Sequence, residues 1–118
     1  MERYETIWTF KTAQFTIEYS VAPDNGLDLS WDDDGSVRAD LERGNLVAFV
    51  ARVRVLWHGR ELGADYLGGC VYKSAEEFID HRGRNAGGYG SYFSDMVREA
   101  IRYARKTAAE FRSIPLHA

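Results

Sequence analysis

The stretch from Leu46 to Trp57 constrains the fold most. Val47, Phe49, Ala51, Val53, Val55 and Trp57 occupy every second position, and Ala48, Val50, Arg52, Arg54 and Leu56 fill the positions between. A helix, with a period of 3.6, would scatter those six side chains around its circumference; a strand sends them all to one face. This is the strongest strand in the chain. Such a strand needs neighbours on both edges and a cover for its apolar face.

The flanking sequence supplies both. Residues 5–11 read as a strand. Residues 14–22 alternate cleanly, with Phe15, Ile17, Tyr19 and Val21 facing one way and Gln14, Thr16, Glu18 and Ser20 the other. The join at Lys11-Thr12-Ala13 is short enough for a hairpin, and Pro23 is expected to stop the second strand. After residue 57, His58-Gly59 suits a two-residue turn. A fourth strand follows from about Glu61 to Tyr72, interrupted at Gly68-Gly69 by a bulge or a close backbone approach.

Helical patterning begins only after residue 73. Ser74-Ala75-Glu76-Glu77 has the form of a capping box and predicts a short helix to about His81. A last helix starts at Ser91 or Ser94. Phe93, Met96, Val97, Ala100, Ile101, Ala104, Ala108 and Phe111 fall on one helical stripe, with Arg98, Arg102, Arg105 and Lys106 off it. The expected architecture is therefore α+β: a four-stranded, mostly antiparallel sheet, then a short helix and a long C-terminal helix packed on one face. With 118 residues and no linker, residues 1–118 read as one domain.

Charge is unevenly spread. From Asp24 to Glu42 there are seven acids against one base; from Arg82 to Arg112, seven bases against three acids. The acidic segment is also rich in turn residues, with room for a short helix near Val37–Arg43. Long loops of this kind tend to be functional or disordered.

The run Trp31-Asp32-Asp33-Asp34-Gly35 invites a calcium reading. With Gly35 at loop position 6, positions 1 and 12 are Ser30 and Leu41, so the EF-hand pattern fails. A solvated acidic loop or a protein-binding surface remains. The loop Gly83–Gly90 holds four glycines but no Gly-Lys-Ser/Thr and follows no strand, so it is neither a P-loop nor a dinucleotide fingerprint. A mobile connector, or an anion site using Arg82 and Arg84, is left. Arg98, Arg102, Arg105 and Lys106, with Tyr89, Tyr92 and Tyr103 nearby in sequence, suit single-stranded nucleic acid, although the net charge of −3 argues against a nucleic-acid footprint.

Catalytic patterns are weaker. Cys70, the single cysteine, pairs in principle with His81 as a thiolate–imidazole couple, but no local signature surrounds it and a buried structural thiol is the simpler reading. No cofactor and no metal site are expected. The lone cysteine, the N-terminus without a signal pattern and the lack of a membrane-length apolar run point to a cytoplasmic protein without membrane contact. Exposed aromatics on one sheet face leave room for a homodimer.

Three segments carry a family resemblance: Asp65-Tyr66-Leu67-Gly68-Gly69-Cys70; Tyr72-Lys73-Ser74-Ala75-Glu76-Glu77-Phe78 with His81-Arg82; and Tyr92-Phe93-Ser94-Asp95-Met96-Val97-Arg98-Glu99-Ala100-Ile101. Together they resemble small uncharacterised accessory proteins of bacterial phages, plasmids and integrated elements. The resemblance covers roughly residues 46–106, and the family's connector after the His-Arg pair is often longer than here. It implies a binding protein that disarms a host defence, most specifically an anti-CRISPR protein acting on a Cas protein. Several such inhibitors use acidic surfaces to occupy DNA-binding grooves. On that expectation Trp31, Asp32, Asp33 and Asp34 form the contact. The alternative is a nucleic-acid-binding accessory protein using Arg82, Arg84, Arg98, Arg102 and Arg105.

Overall fold

The computed structural model describes residues 3–80 and 92–113. The alternating stretches become four strands: β1 (Glu5–Lys11), β2 (Thr16–Pro23), β3 (Val47–Trp57) and β4 (Arg60–Tyr72). They pair antiparallel in the order β1-β2-β3-β4. Three helices follow the patterning as well: α1 (Ser36–Arg43), α2 (Glu77–Asp80) and α3 (Tyr92–Ser113). The fold is α+β, as expected.

Turn chemistry explains the strand ends. Thr12 closes the first hairpin: its backbone amide donates to the Phe15 carbonyl at 2.8 Å and its hydroxyl accepts the Phe15 amide at 2.9 Å. That turn delays β2 to Thr16. Pro23 ends the strand from inside it, paired with Phe49 as the last residue of β2, a place where a missing N–H is tolerated. His58 and Gly59 both take positive φ, 49° and 77°, the geometry of a tight hairpin whose twist matches its strands. At the start of α2, the Ser74 hydroxyl accepts the Glu77 amide at 3.1 Å, half of the expected capping box.

The core lies between the sheet and α3. Ile17, Tyr19, Phe49, Val53, Val55 and Cys70 meet Phe78 of α2 and Phe93, Met96, Ala100 and Ala104 of α3. Aromatic rings knit the centre: Tyr19 sits 5.7 Å from Phe78 and 5.4 Å from Phe93, centre to centre. The Tyr19 hydroxyl donates to the Ala75 carbonyl at 2.8 Å, which satisfies its buried polar end and ties the segment before α2 to the sheet.

The α3 stripe is buried only as far as it has sheet beneath it. Ala104 is the last residue buried between Tyr92 and Arg112, and Phe111, on the same stripe, is 56% exposed. Val47 and Trp57, at the ends of the β3 stripe, are exposed too.

Candidate functional site

The acidic segment leaves the sheet after Pro23 and returns at Val47, carrying α1 on the way. Its aspartates are spent largely on its own backbone. Asp24 accepts the Gly26 amide at 3.2 Å, Asp28 the Ser30 amide at 2.9 Å and Asp34 the Ser36 amide at 3.0 Å. Each is an Asx turn, a carboxylate closing on the amide two residues ahead. Asp32 reaches further. Its two oxygens accept the amides of Val37 at 3.3 Å and Arg38 at 3.0 Å. These are N-terminal amides of α1 with no helical partner, so Asp32 caps the helix from three residues before the N-cap position, where Gly35, at a φ of 72°, has no side chain to do so.

The four residues of the run therefore have different jobs. Asp32 is half-buried and structural. Asp34 closes a turn. Asp33 is exposed. Trp31 is 57% exposed, and its indole N–H donates back to the Asp28 carbonyl at 2.8 Å. The ring is thus turned outward with its polar atom already satisfied. Amide hydrogen bonds hold the carboxyls of Asp28 and Asp34 below the usual carboxylate range, so both stay ionised at neutral pH. Asp32→Ala is expected to destabilise the α1 end of the loop by about 1 kcal/mol, read as faster amide exchange at Val37 and Arg38, whereas Asp33→Ala leaves exchange unchanged.

The basic helix is less basic than its composition. Arg98 pairs with Asp95 one turn earlier, and Arg102 pairs with Glu99, at 2.8 Å. The Arg102 guanidinium also lies 4.8 Å from the centre of the Tyr103 ring. Arg105 and Lys106 are exposed on the same helix. Arg82 and Arg84, the glycine loop Gly83–Gly90 and His81 lie outside the described residues.

Cys70 is buried and its thiol donates weakly to the Leu67 carbonyl at 3.4 Å. Burial, helped by the nearby Asp24 carboxylate, pushes its pKa up to about 11. At neutral pH it is a protonated thiol, the inert form. Native Cys70 is expected to react with an aromatic disulfide reagent at least about a hundred times more slowly than in denaturant; labelling at the denatured rate would contradict this placement.

One cluster escaped the sequence reading. On the sheet face opposite α3, Glu18 is only 9% exposed. It accepts Nε of Arg54 at 2.8 Å and the Thr6 hydroxyl at 3.2 Å, with Arg52 at 3.5 Å. Arg52 Nε donates to the Ser20 hydroxyl at 2.9 Å, and its guanidinium lies 3.9 Å from the centre of the Tyr4 ring. Alternation put Glu18 and Ser20 on the right face. The two-residue spacing of Arg52 and Arg54 was the available signal that they would meet across the strands.

A cleft of 1120 Å³ opens where β1 begins and β2 ends. Val47 and Phe49 line it, and its rim carries Arg3 and Lys73 against Glu5 and Glu76. Among the described residues no group of three or more His, Cys, Asp or Glu is placed to hold a metal ion, and no helix is long and apolar enough to cross a membrane. The chain matches no protein-family model, no curated protein and no solved structure.

Proposed function

We propose that the chain is a non-enzymatic binding protein of a mobile genetic element, an anti-CRISPR-type inhibitor that engages a host Cas protein and blocks DNA access or effector recruitment. The observation that carries this reading is Trp31: an exposed indole with its N–H satisfied internally, held on a hydrogen-bonded loop and flanked by ionised carboxylates. Interfaces draw most of their affinity from a few rigid aromatic anchors, and surrounding charge sets encounter rate and partner choice. A loop bearing −6 over Asp24–Glu42 fits a basic surface, the kind that otherwise holds nucleic acid.

The alternative, a nucleic-acid accessory protein using α3, draws less support because Arg98 and Arg102 each face a carboxylate of their own helix.

The loop chemistry decides which variants test the contact. Replacing Asp32, Asp33 and Asp34 together would confound binding with loss of the α1 cap. Trp31→Ala and Asp33→Lys spare the loop's hydrogen bonds to backbone amides. Trp31→Ala is expected to weaken binding to the captured partner about 30-fold, the scale of a central anchor. Asp33→Lys is expected to slow association and flatten its dependence on salt. Affinities within twofold of the parent for both variants would remove the loop from the interface.

A further inference from the structure

The excursion that bears Trp31 is poorly anchored by packing. None of the residues of α1 is buried, and Val37, Ala39 and Leu41 are only half-buried, so packing holds it weakly. Polar ties at its root set it instead. The Asp24 amide donates to the Ala48 carbonyl of β3 at 3.2 Å. The Asp24 carboxylate does more: Oδ2 accepts the Gly69 amide at 2.8 Å, across 45 residues of chain, while Oδ1 accepts the Gly26 amide at 3.2 Å.

Gly69 stands at the irregularity in β4. Phe49 pairs with Cys70 and Ala51 with Leu67, so Gly68 and Gly69 fall out of the β3–β4 register. Gly69 takes a φ of 71°. Its amide is therefore turned out of the ladder, and Asp24 receives it.

We infer that Asp24 is the positioning residue of the Trp31 loop: it clasps the first turn of the excursion to the β4 bulge and so fixes the direction in which residues 25–35 leave the sheet. The functional half of this inference rests on the loop contact proposed above; the clasp itself does not. The bulge and the aspartate form one device. The bulge frees an amide, and the carboxylate uses one oxygen on it and the other on the loop's first turn. Local segments with few buried contacts open independently of the global fold, so loss of this tie acts on the loop alone.

Hydrogen exchange of the full chain tests the clasp. Asp24→Ala is expected to speed exchange about tenfold at Gly26, Ser30 and Asp32, while the melting temperature and the exchange of β2 and β3 stay near those of the parent. Asp24→Asn, which keeps one of the two oxygen acceptors and turns an NH2 donor toward the other amide, is expected to restore the protection only in part. Unchanged loop exchange in Asp24→Ala would overturn the inference, and so would a rise spread evenly over the sheet. Capture of a Cas protein from a nuclease-treated bacterial lysate that carries a CRISPR-Cas system separates the two ideas. Faster loop exchange with weaker capture supports both; faster loop exchange with undiminished capture supports the clasp and removes the loop from the interface.

Discussion

Gly63→Ala is expected to destabilise the protein by about 3 kcal/mol, near the upper end for overpacking. Gly63 faces α3 from β4 where the backbones of helix and sheet come close. A methyl group there would stand 2.3 Å from the Ala100 carbonyl oxygen and 2.5 Å from the Ala104 amide nitrogen. Both are backbone atoms, so no side-chain rotation relieves the clash; α3 as a whole must lift. Ala100 and Ala104 are themselves small and buried, so the approach uses the smallest residues on both sides. At about 4 °C per kcal/mol for a chain of this size, the midpoint should fall by about 12 °C in a thermal melt followed by circular dichroism. Gly26→Ala is the matched control. A methyl there meets nothing nearer than the Asp24 carboxylate at 4.0 Å, and the midpoint should barely move. Equal melting of the two variants would mean that α3 does not sit as closely as described.

The second large effect belongs to Glu18. Removing it leaves two half-buried guanidiniums, Arg52 and Arg54, without their shared carboxylate. Breaking such a pair from one side strands charge in a partly desolvated site, and Glu18→Ala should cost about 3 kcal/mol in urea unfolding. Arg54→Ala in the same background should recover part of that loss, because one stranded cation goes with it. The coupling between the two positions is expected to be about 1 kcal/mol or more, of the sign of an attraction. Strictly additive effects would show that the cluster is only a solvated face. Arg54 also approaches Glu61, at 3.8 Å, but that carboxylate is exposed and replaces little.

The elements were legible in the sequence because each obeys a short period. The alternation of Val47 to Trp57 and the stripe from Phe93 to Ala104 needed no knowledge of the rest of the chain. The stripe misled only at Phe111, where the period continues after the sheet beneath it has ended. Contacts between distant segments were not legible in this way. Gly68-Gly69 stands out as a doublet, whereas Gly63 owes its importance to the backbone of Ala100, 37 residues later. Glu18 appeared as one polar residue on an alternating strand; its burial depends on Arg54, 36 residues on.

The acidic loop was legible in place but not in role. Its charge reads as surface, yet Asp24-Asn25-Gly26, Asp28-Leu29-Ser30 and Asp34-Gly35-Ser36 share one spacing, an aspartate two residues before a small turn former. That spacing is the mark of carboxylates turned onto their own backbone. What the run leaves outside those turns and the α1 cap is narrower than the run itself: the indole ring of Trp31 and the carboxylate of Asp33.

The most direct test of the binding claim is a tagged capture from a bacterial lysate that carries a CRISPR-Cas system. The lysate is treated with nuclease, read by mass spectrometry, and run with the parent chain and Trp31→Ala side by side. The account predicts stoichiometric recovery of a Cas protein by the parent and its loss with Trp31→Ala. Recovery of no Cas protein by the parent, or equal recovery of the Cas protein by both chains, would contradict it.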